Sequence, residues 1–161
     1  LVLVGDGDDR PRLEGLARAM GAGDRVRFVG AAPHEAVGDY LQAADLFLFS
    51  STSETQGIGA LEALAAGLPV VAVRSDAAVD LLEDGQGGII TEEDPVAFAA
   101  GLVELWRQPE RRQAMSLAAR RVAARYDPGV CAARLLGLYE ELIRALRLER
   151  VGARPIRPKE A

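Results

Sequence analysis

The stretch Ser51–Leu64, STSETQGIGALEAL, stands between the apolar run LFLF at 46–49 and the run Leu68-Pro-Val-Val-Ala-Val73. A short apolar run, a small-residue loop, an Ala/Leu segment closed by Gly67 and a second apolar run describe a strand–loop–helix–strand unit. A helix start needs a cap, but it needs neither two glycines (Gly57, Gly59) nor two carboxylates (Glu54, Glu62) in this arrangement. Working outward, the same alternation continues in both directions. LVLV at 1–4, VRFVG at 26–30 and GIIT at 88–91 read as further strands, separated by helical segments near 9–20, 33–44 and 77–83. Strands buried on both faces and alternating with helices predict a doubly wound α/β layer with a parallel sheet. After Asp94 the pattern is all helical, at about 95–107, 109–125 and 129–148, interrupted by Pro109 and Asp127-Pro128. A Pro-containing tail, 149–161, is expected to be flexible.

Composition bounds the function classes. The 161 residues, 49% apolar, suit one domain with a real core. No apolar run approaches the roughly 18 residues of a membrane span. The lone Cys131 cannot form an internal disulfide, which favours a reducing, cytoplasmic setting. Charge is uneven: six basic against seventeen acidic residues give −11 over 1–100, and thirteen against seven give +6 over 101–161. The acidic part argues against nucleic-acid binding, which needs clustered Lys and Arg. The basic part, with Arg107, Arg111, Arg112, Arg120, Arg121 and Arg125, reads as a solvated helix face, with peripheral membrane contact as the alternative. Because Leu1–Val4 already reads as a buried strand, the chain is expected to be part of a longer protein.

Ligands of open parallel sheets bind beyond the carboxyl ends of the strands. Three loops therefore matter: Gly5-Asp-Gly7, Gly30-Ala-Ala32 and Ser50–Gly59. The helix start at Gly57–Gly59 lets an anion approach free N–H groups and the positive end of the helix dipole. Glu62, about 7 Å further along the helix axis, can accept two hydroxyl hydrogen bonds from a sugar beside that phosphate. Glu54 can meet whatever lies on the other side. A phosphate flanked by polyols describes a nucleotide-sugar. The plainer reading has Ser53 or Thr55 as caps and both glutamates as solvated helix-terminal charges. Three other features carry less. His34 reads as a surface histidine at a helix start. Asp6, Asp8 and Asp9 read as a solvated acidic loop, and Arg10 breaks a G-x-G-x-x-G fingerprint. Tyr139, Leu142, Ile143 and Leu146 read as core or interdomain packing.

Taken together, STSETQGIGALEALAAGLPVVAV resembles the signature of glycosyltransferase family 4, retaining enzymes of GT-B fold. The resemblance rests on Glu54 and Glu62 with seven residues between them, the Gly67-Leu-Pro-Val-Val71 strand, LVLVGDG at 1–7, VRFVG at 26–30 and Ala43–Ser50. It implies that residues 1–148 are the Rossmann-like, C-terminal donor-binding domain. Glu54 would contact the transferred sugar and is the candidate catalytic residue, and Glu62 would hold the ribose. The amides of Gly57, Ile58 and Gly59 would hold the distal phosphate, Val29 and Gly30 would lie near the base, and Gly5 and Gly7 would line the cleft. A UDP-, GDP- or ADP-sugar is the implied donor, with no metal and no cofactor. Retention in the family is assigned to front-face attack, so neither glutamate is expected to be a nucleophile.

The sequence also departs from the family. An Arg and a Lys that clamp the diphosphate, and the acceptor-binding N-terminal domain, lie outside these residues. Arg74-Ser-Asp-Ala-Ala-Val-Asp80 stands where G-G-x-x-E-x-V is frequent. The isolated chain is therefore expected not to catalyse transfer. An epimerase on the same scaffold and a non-catalytic nucleotide-sugar-binding module are the alternative readings.

Overall fold

A computed structural model of the chain describes residues 1–82 and 85–152, with side chains through residue 146. Its strands are β1 (Val2–Val4), β2 (Arg27–Gly30), β3 (Phe47–Phe49), β4 (Val70–Val73) and β5 (Gly88–Thr91). Its helices are α1 (Arg10–Ala19), α2 (His34–Gln42), α3 (Ile58–Ala66), α4 (Asp76–Leu82), α5 (Pro95–Trp106), α6 (Pro109–Ala124) and α7 (Pro128–Gly152). All strand pairs are parallel, so the α/β, Rossmann-like class expected from the sequence holds.

Local chemistry sets most boundaries. Asp94 caps α5 by accepting from the Ala97 N–H at 2.8 Å, and Pro95 follows where a missing N–H costs nothing. Buried Ser75 accepts from the Ala78 N–H at 3.2 Å and opens α4. Gly67 ends α3 at φ +86°, in the left-handed region that glycine enters without steric cost. Residues 149–152 continue α7 rather than starting a tail. The remainder of the expected tail, 153–161, lies outside the described residues.

The core is built around β4, whose four residues are all buried. Alternation sends Val70 and Ala72 to one face and Val71 to the other. On the first face they join Leu64 and Ala63 of α3, Leu81 and Leu82 of α4, and Ala119 and Val122 of α6. Small residues at the α3–α6 contact let these two helices approach closely. On the second face Val71 joins Leu105 of α5 and Met115 of α6. A fully buried leucine such as Leu64 or Leu105 contributes roughly 1.5–3 kcal/mol relative to exposure.

Three expectations are corrected. The sheet is in two pieces, β1–β2 and β3–β4–β5. Leu1–Val4, expected to be buried, is exposed along its whole length. Burial belongs to a strand's neighbours, and among the described residues β1 is paired on one side only. Of the core and interdomain readings of Tyr139, Leu142, Ile143 and Leu146, the core one is corrected, because all four are exposed on α7.

Candidate donor site

The residues singled out by sequence fall into two groups, each at the carboxyl ends of a set of parallel strands. The first group follows β3. Between Phe49 and α3 the chain runs through an exposed loop that carries Glu54 and enters the helix at Gly57. Gly57 is the N-cap, buried and left-handed at φ +64°. A β-carbon there would stand 3.1 Å from Leu81 Cδ1 and 3.2 Å from Ala77 Cβ. Neither Ser53 nor Thr55 caps the helix, which has no side-chain cap at all. Leu61 donates the first in-helix bond, to Gly57 O at 2.9 Å. The N–H groups of Ile58, Gly59 and Ala60 thus lack acceptors among the described residues.

Glu62 sits on the same helix, half-buried and with no hydrogen bond or ion pair among the described residues. Glu54 is exposed and also unpaired among them. A half-buried carboxylate without a partner is an acceptor held ready for hydroxyl or N–H donors. Three open amides and the positive end of a helix lie at one end of α3, with this acceptor further along it. That arrangement suits an anion joined to a polyol.

The second group joins the ends of β1 and β2. The Gly5 N–H donates to Gly30 O at 2.8 Å, which ties the two loops together. Gly30 is buried at φ +86°, and Val29 is half-buried beside it. Gly7 donates its N–H to Asp6 Oδ1 at 2.9 Å. A groove of about 260 Å³ here is lined by Leu3, Val4, Gly5, Asp6, Gly7, Asp9, Arg10, Leu13 and Phe28. A second groove, of about 360 Å³, lies along β5 between Arg74 and Arg111 and includes none of the candidate donor-site residues.

Arg10 is the residue that sequence reasoning passed over. It had been read only as the break in a glycine fingerprint. Its guanidinium bonds Glu14 at 2.9 Å, Asp6 at 3.4 Å and Phe28 O at 3.3 Å, and lies 3.0 Å from where a Gly30 β-carbon would stand. It lines the groove beside this loop pair, and its pKa is raised, first by the Glu14 hydrogen bond. A signal was available: an i,i+4 spacing to both Asp6 and Glu14 marks Arg10 as the centre of a charge cluster.

Elsewhere the expected minor readings are sorted by contact. Asp9 is held below the usual carboxylate range by its hydrogen bond to Arg12, with the Arg12 charge adding to the effect. His34 is exposed at the start of α2. The basic residues of α6 are more than a solvated face. Arg112 donates to Leu105 O at 3.2 Å and to Trp106 O, and Arg120 donates to Ala66 O at 3.4 Å. They close the carboxyl ends of α5 and α3, where cations are favoured. No described helix is long and apolar enough to cross a membrane.

Comparison with known proteins supplies the family. Residues 1–122 match the glycosyl transferases of group 1. The chain is 38% identical over 152 residues to D-inositol 3-phosphate glycosyltransferase of Thermobispora bispora, covering 92% of this chain and 36% of that protein. It is 34% identical over 142 residues to alpha-monoglucosyldiacylglycerol synthase of Acholeplasma laidlawii, covering 88% and 35%. Among solved structures it is similar to sucrose-phosphate synthase from Thermosynechococcus elongatus, with a TM-score of 0.78 at 29% identity over 90% of this chain and 39% of that one. It is also similar to Anabaena HepE in complex with UDP-glucose, with a TM-score of 0.64 at 26% identity over 77% and 35%. The chain spans about a third of the length of these curated relatives. A parallel α/β layer, an uncapped glycine helix start and a match over most of the sequence lead to one statement: the chain belongs to the group 1 glycosyl transferases.

Proposed function

We propose that this chain is the donor-binding domain, residues 1–148, of an enzyme that transfers a hexosyl group from a nucleotide-sugar to an acceptor with retention of configuration. The observation that carries this reading is the start of α3, where the N–H groups of Gly57, Ile58 and Gly59 have no acceptor among the described residues and precede a half-buried Glu62 that likewise has no partner among them. In this reading the N–H groups of Gly57, Ile58 and Gly59 take the distal phosphate. Glu62 accepts from the ribose hydroxyls, and Glu54 accepts from hydroxyls of the sugar being transferred. Val29 and Gly30 lie near the base, with Gly5 and Gly7 lining the cleft. The named complex of HepE with UDP-glucose supports a nucleotide-sugar as the ligand class.

Chemically, the step breaks the bond from the anomeric carbon to the phosphate oxygen and leaves charge on that oxygen. Fixed N–H donors and a helix dipole meet this charge without having to reorganise, and such preorganised electrostatics lower the barrier. The acceptor hydroxyl attacks from the same face, and its proton passes to the departing phosphate oxygen. Glu54 then orients the sugar and forms no covalent intermediate. The acceptor belongs to the part of the parent protein outside this chain.

Calorimetric titration with UDP, GDP and ADP, on this chain and on its Glu62→Ala variant, tests the reading. One nucleotide is expected to bind, and Glu62→Ala to weaken it about tenfold, or about 1.4 kcal/mol. Equal affinity in both proteins would remove Glu62 from the site.

A further inference from the structure

Gly30 is flanked by a cation and a carboxylate that lie side by side. A β-carbon on Gly30 would stand 3.0 Å from Arg10 Nη1 and 3.7 Å from Asp6 Oδ2, and those two atoms are 3.4 Å apart. Both side chains are held from behind. Asp6 accepts the Gly7 N–H on Oδ1 at 2.9 Å. Arg10 donates from Nε to Glu14 at 2.9 Å and from Nη2 to Phe28 O at 3.3 Å. A guanidinium carries five N–H donors. Glu14, Phe28 O and Asp6 occupy one each, so one donor on Nη1 and one on Nη2 have no acceptor among the described residues. Asp6 Oδ2 accepts only from Arg10 among them, and a carboxylate oxygen has room for a second donor. A side chain on residue 30 would push the guanidinium aside, so glycine is what lets the pair lie against this loop.

A fixed donor beside a fixed acceptor distinguishes two kinds of nucleobase edge. Uracil and guanine each present a keto oxygen next to a ring N–H, so the keto group can meet Arg10 while the N–H meets Asp6. Cytosine and adenine present an amino group next to a bare ring nitrogen, which reverses the polarity at both positions. The amino group would then face the guanidinium, and the nitrogen lone pair would face the carboxylate. All four groups would be left without partners.

We infer that Arg10 and Asp6 select the base of the nucleotide-sugar, accepting uracil or guanine and rejecting cytosine and adenine. This rests on the donor-site reading above, in which the base lies near Val29 and Gly30, and it names the two side chains that choose the base. Both are partly solvated, with 33% of the Arg10 side chain and 53% of the Asp6 side chain exposed. Water can therefore satisfy part of a mismatched edge, and the selection is about tenfold, well short of what a closed pocket achieves.

Titration calorimetry of the 161-residue chain with UDP, CDP, GDP and ADP tests the inference, repeated on Arg10→Met, Asp6→Asn and Glu62→Ala. UDP and CDP differ only along the edge that the pair reads, so their affinity ratio isolates it. The parent is expected to bind UDP about tenfold or more tightly than CDP, or GDP by the same factor over ADP. Comparing UDP with GDP shows which of the two bases fits. Arg10→Met and Asp6→Asn should each shrink the preference by about threefold or more. A residue that only braced the loops would weaken both members of a couple alike and leave their ratio as in the parent, which would overturn the inference. So would equal affinities within both couples, or a preference for CDP or ADP. If those affinities fall in Glu62→Ala, the donor site stands and only the base-selecting pair is lost. If none of the four nucleotides binds, the donor-site reading falls and the pair falls with it.

Discussion

Gly57 and Leu81 are in a contact that only glycine permits. A β-carbon on Gly57 would lie 3.1 Å from Leu81 Cδ1 and 3.2 Å from Ala77 Cβ, at a backbone φ of +64°. The start of α3, with its open amides, is therefore held against α4 by the packing of the core. Gly57→Ala is expected to lose about 1–3 kcal/mol from left-handed strain and overpacking together, seen as a lower urea midpoint. Gly59 provides the contrast. It has ordinary space, with Phe47 Cζ at 3.7 Å and no positive φ. Gly59→Ala should keep or slightly raise stability, by about 0.4–1 kcal/mol, yet weaken nucleotide binding because a methyl group enters the phosphate position. If Gly59→Ala destabilises the fold as much as Gly57→Ala, the contrast is wrong.

The two glutamates should separate by ligand. Glu62, assigned to the ribose, is expected to matter equally for a nucleoside diphosphate and for its sugar conjugate. Glu54, assigned to the sugar, should leave the affinity for the free diphosphate unchanged within about twofold. Glu54→Ala should cost the conjugate about five- to tenfold, the loss of one or two hydrogen bonds. Paired titrations with a nucleotide and its nucleotide-sugar decide this. A Glu54→Ala variant that weakens both ligands alike would put Glu54 in another role.

Much of this layout was legible because it is local. Gly57, Gly59, Glu62 and Gly67 share one helix, so spacing alone put them on one element. Asp94-Pro95 announced the start of α5, and VVAV announced a strand covered on both sides. What was illegible depended on distant neighbours. LVLV has the composition of a buried strand, and only the pairing pattern reveals its open edge. Arg10 meets Gly30 across twenty residues of sequence, through the parallel pairing of β1 and β2. Ser53 and Thr55 looked like helix caps by residue type, whereas the tight contact with α4 requires glycine at the cap. The basic stripe of α6 could not show from composition that Arg112 and Arg120 reach the carboxyl ends of other helices.

Turnover offers a test of how the activity is divided. The proposed function places donor binding on this chain and acceptor binding on the rest of the parent protein. The isolated chain should bind a nucleotide-sugar without transferring its sugar to water or to any acceptor at an ordinary enzyme rate of about 1 per second or more. A coupled assay for released diphosphate over a panel of nucleotide-sugars measures this. Turnover at that rate would mean that the catalytic groups are all on this chain.

The Asp9–Arg12 pair gives a pH prediction with a definite sign. Arg12 bonds Asp9 at 2.5 Å and 2.9 Å, and the Asp9 carboxyl is held below its ordinary value of 3.8, chiefly by that hydrogen bond. A depressed carboxylate pKa stabilises the folded state above the unfolded pKa. The contribution is lost as pH falls through the lower, folded value. Both side chains are exposed, so the effect on stability is small. Titration of the Asp9 carboxyl by NMR should therefore show a pKa under 3.8 that returns upward in Arg12→Ala. A pKa that does not move on removing Arg12 would mean that the pair is open in solution.

Gly88 and Gly101 test the packing at β5 with opposite expectations. A β-carbon on Gly88 would stand 2.1 Å from Val70 O and 3.0 Å from Val70 N, which are main-chain atoms that cannot step aside. Gly88→Ala must push the first residue of β5 away from β4, and a cost of about 3 kcal/mol, at the upper end for overpacking, is expected. At Gly101 the nearest atoms are Thr91 Cγ2 at 2.9 Å and Ile89 Cδ1 at 3.1 Å, both side-chain atoms; Ile89 can turn its end away, whereas Thr91 is stiff at χ1 and its hydroxyl donates to Ala72 O at 3.2 Å. Gly101 lies within α5, where alanine gains about 1 kcal/mol of helix propensity, so that gain offsets much of the crowding. Gly101→Ala should thus come within about 1 kcal/mol of the parent in urea unfolding, while Gly88→Ala shifts the midpoint well below it. The reverse ranking would mean that the β4–β5 contact at Val70 is looser than this geometry requires.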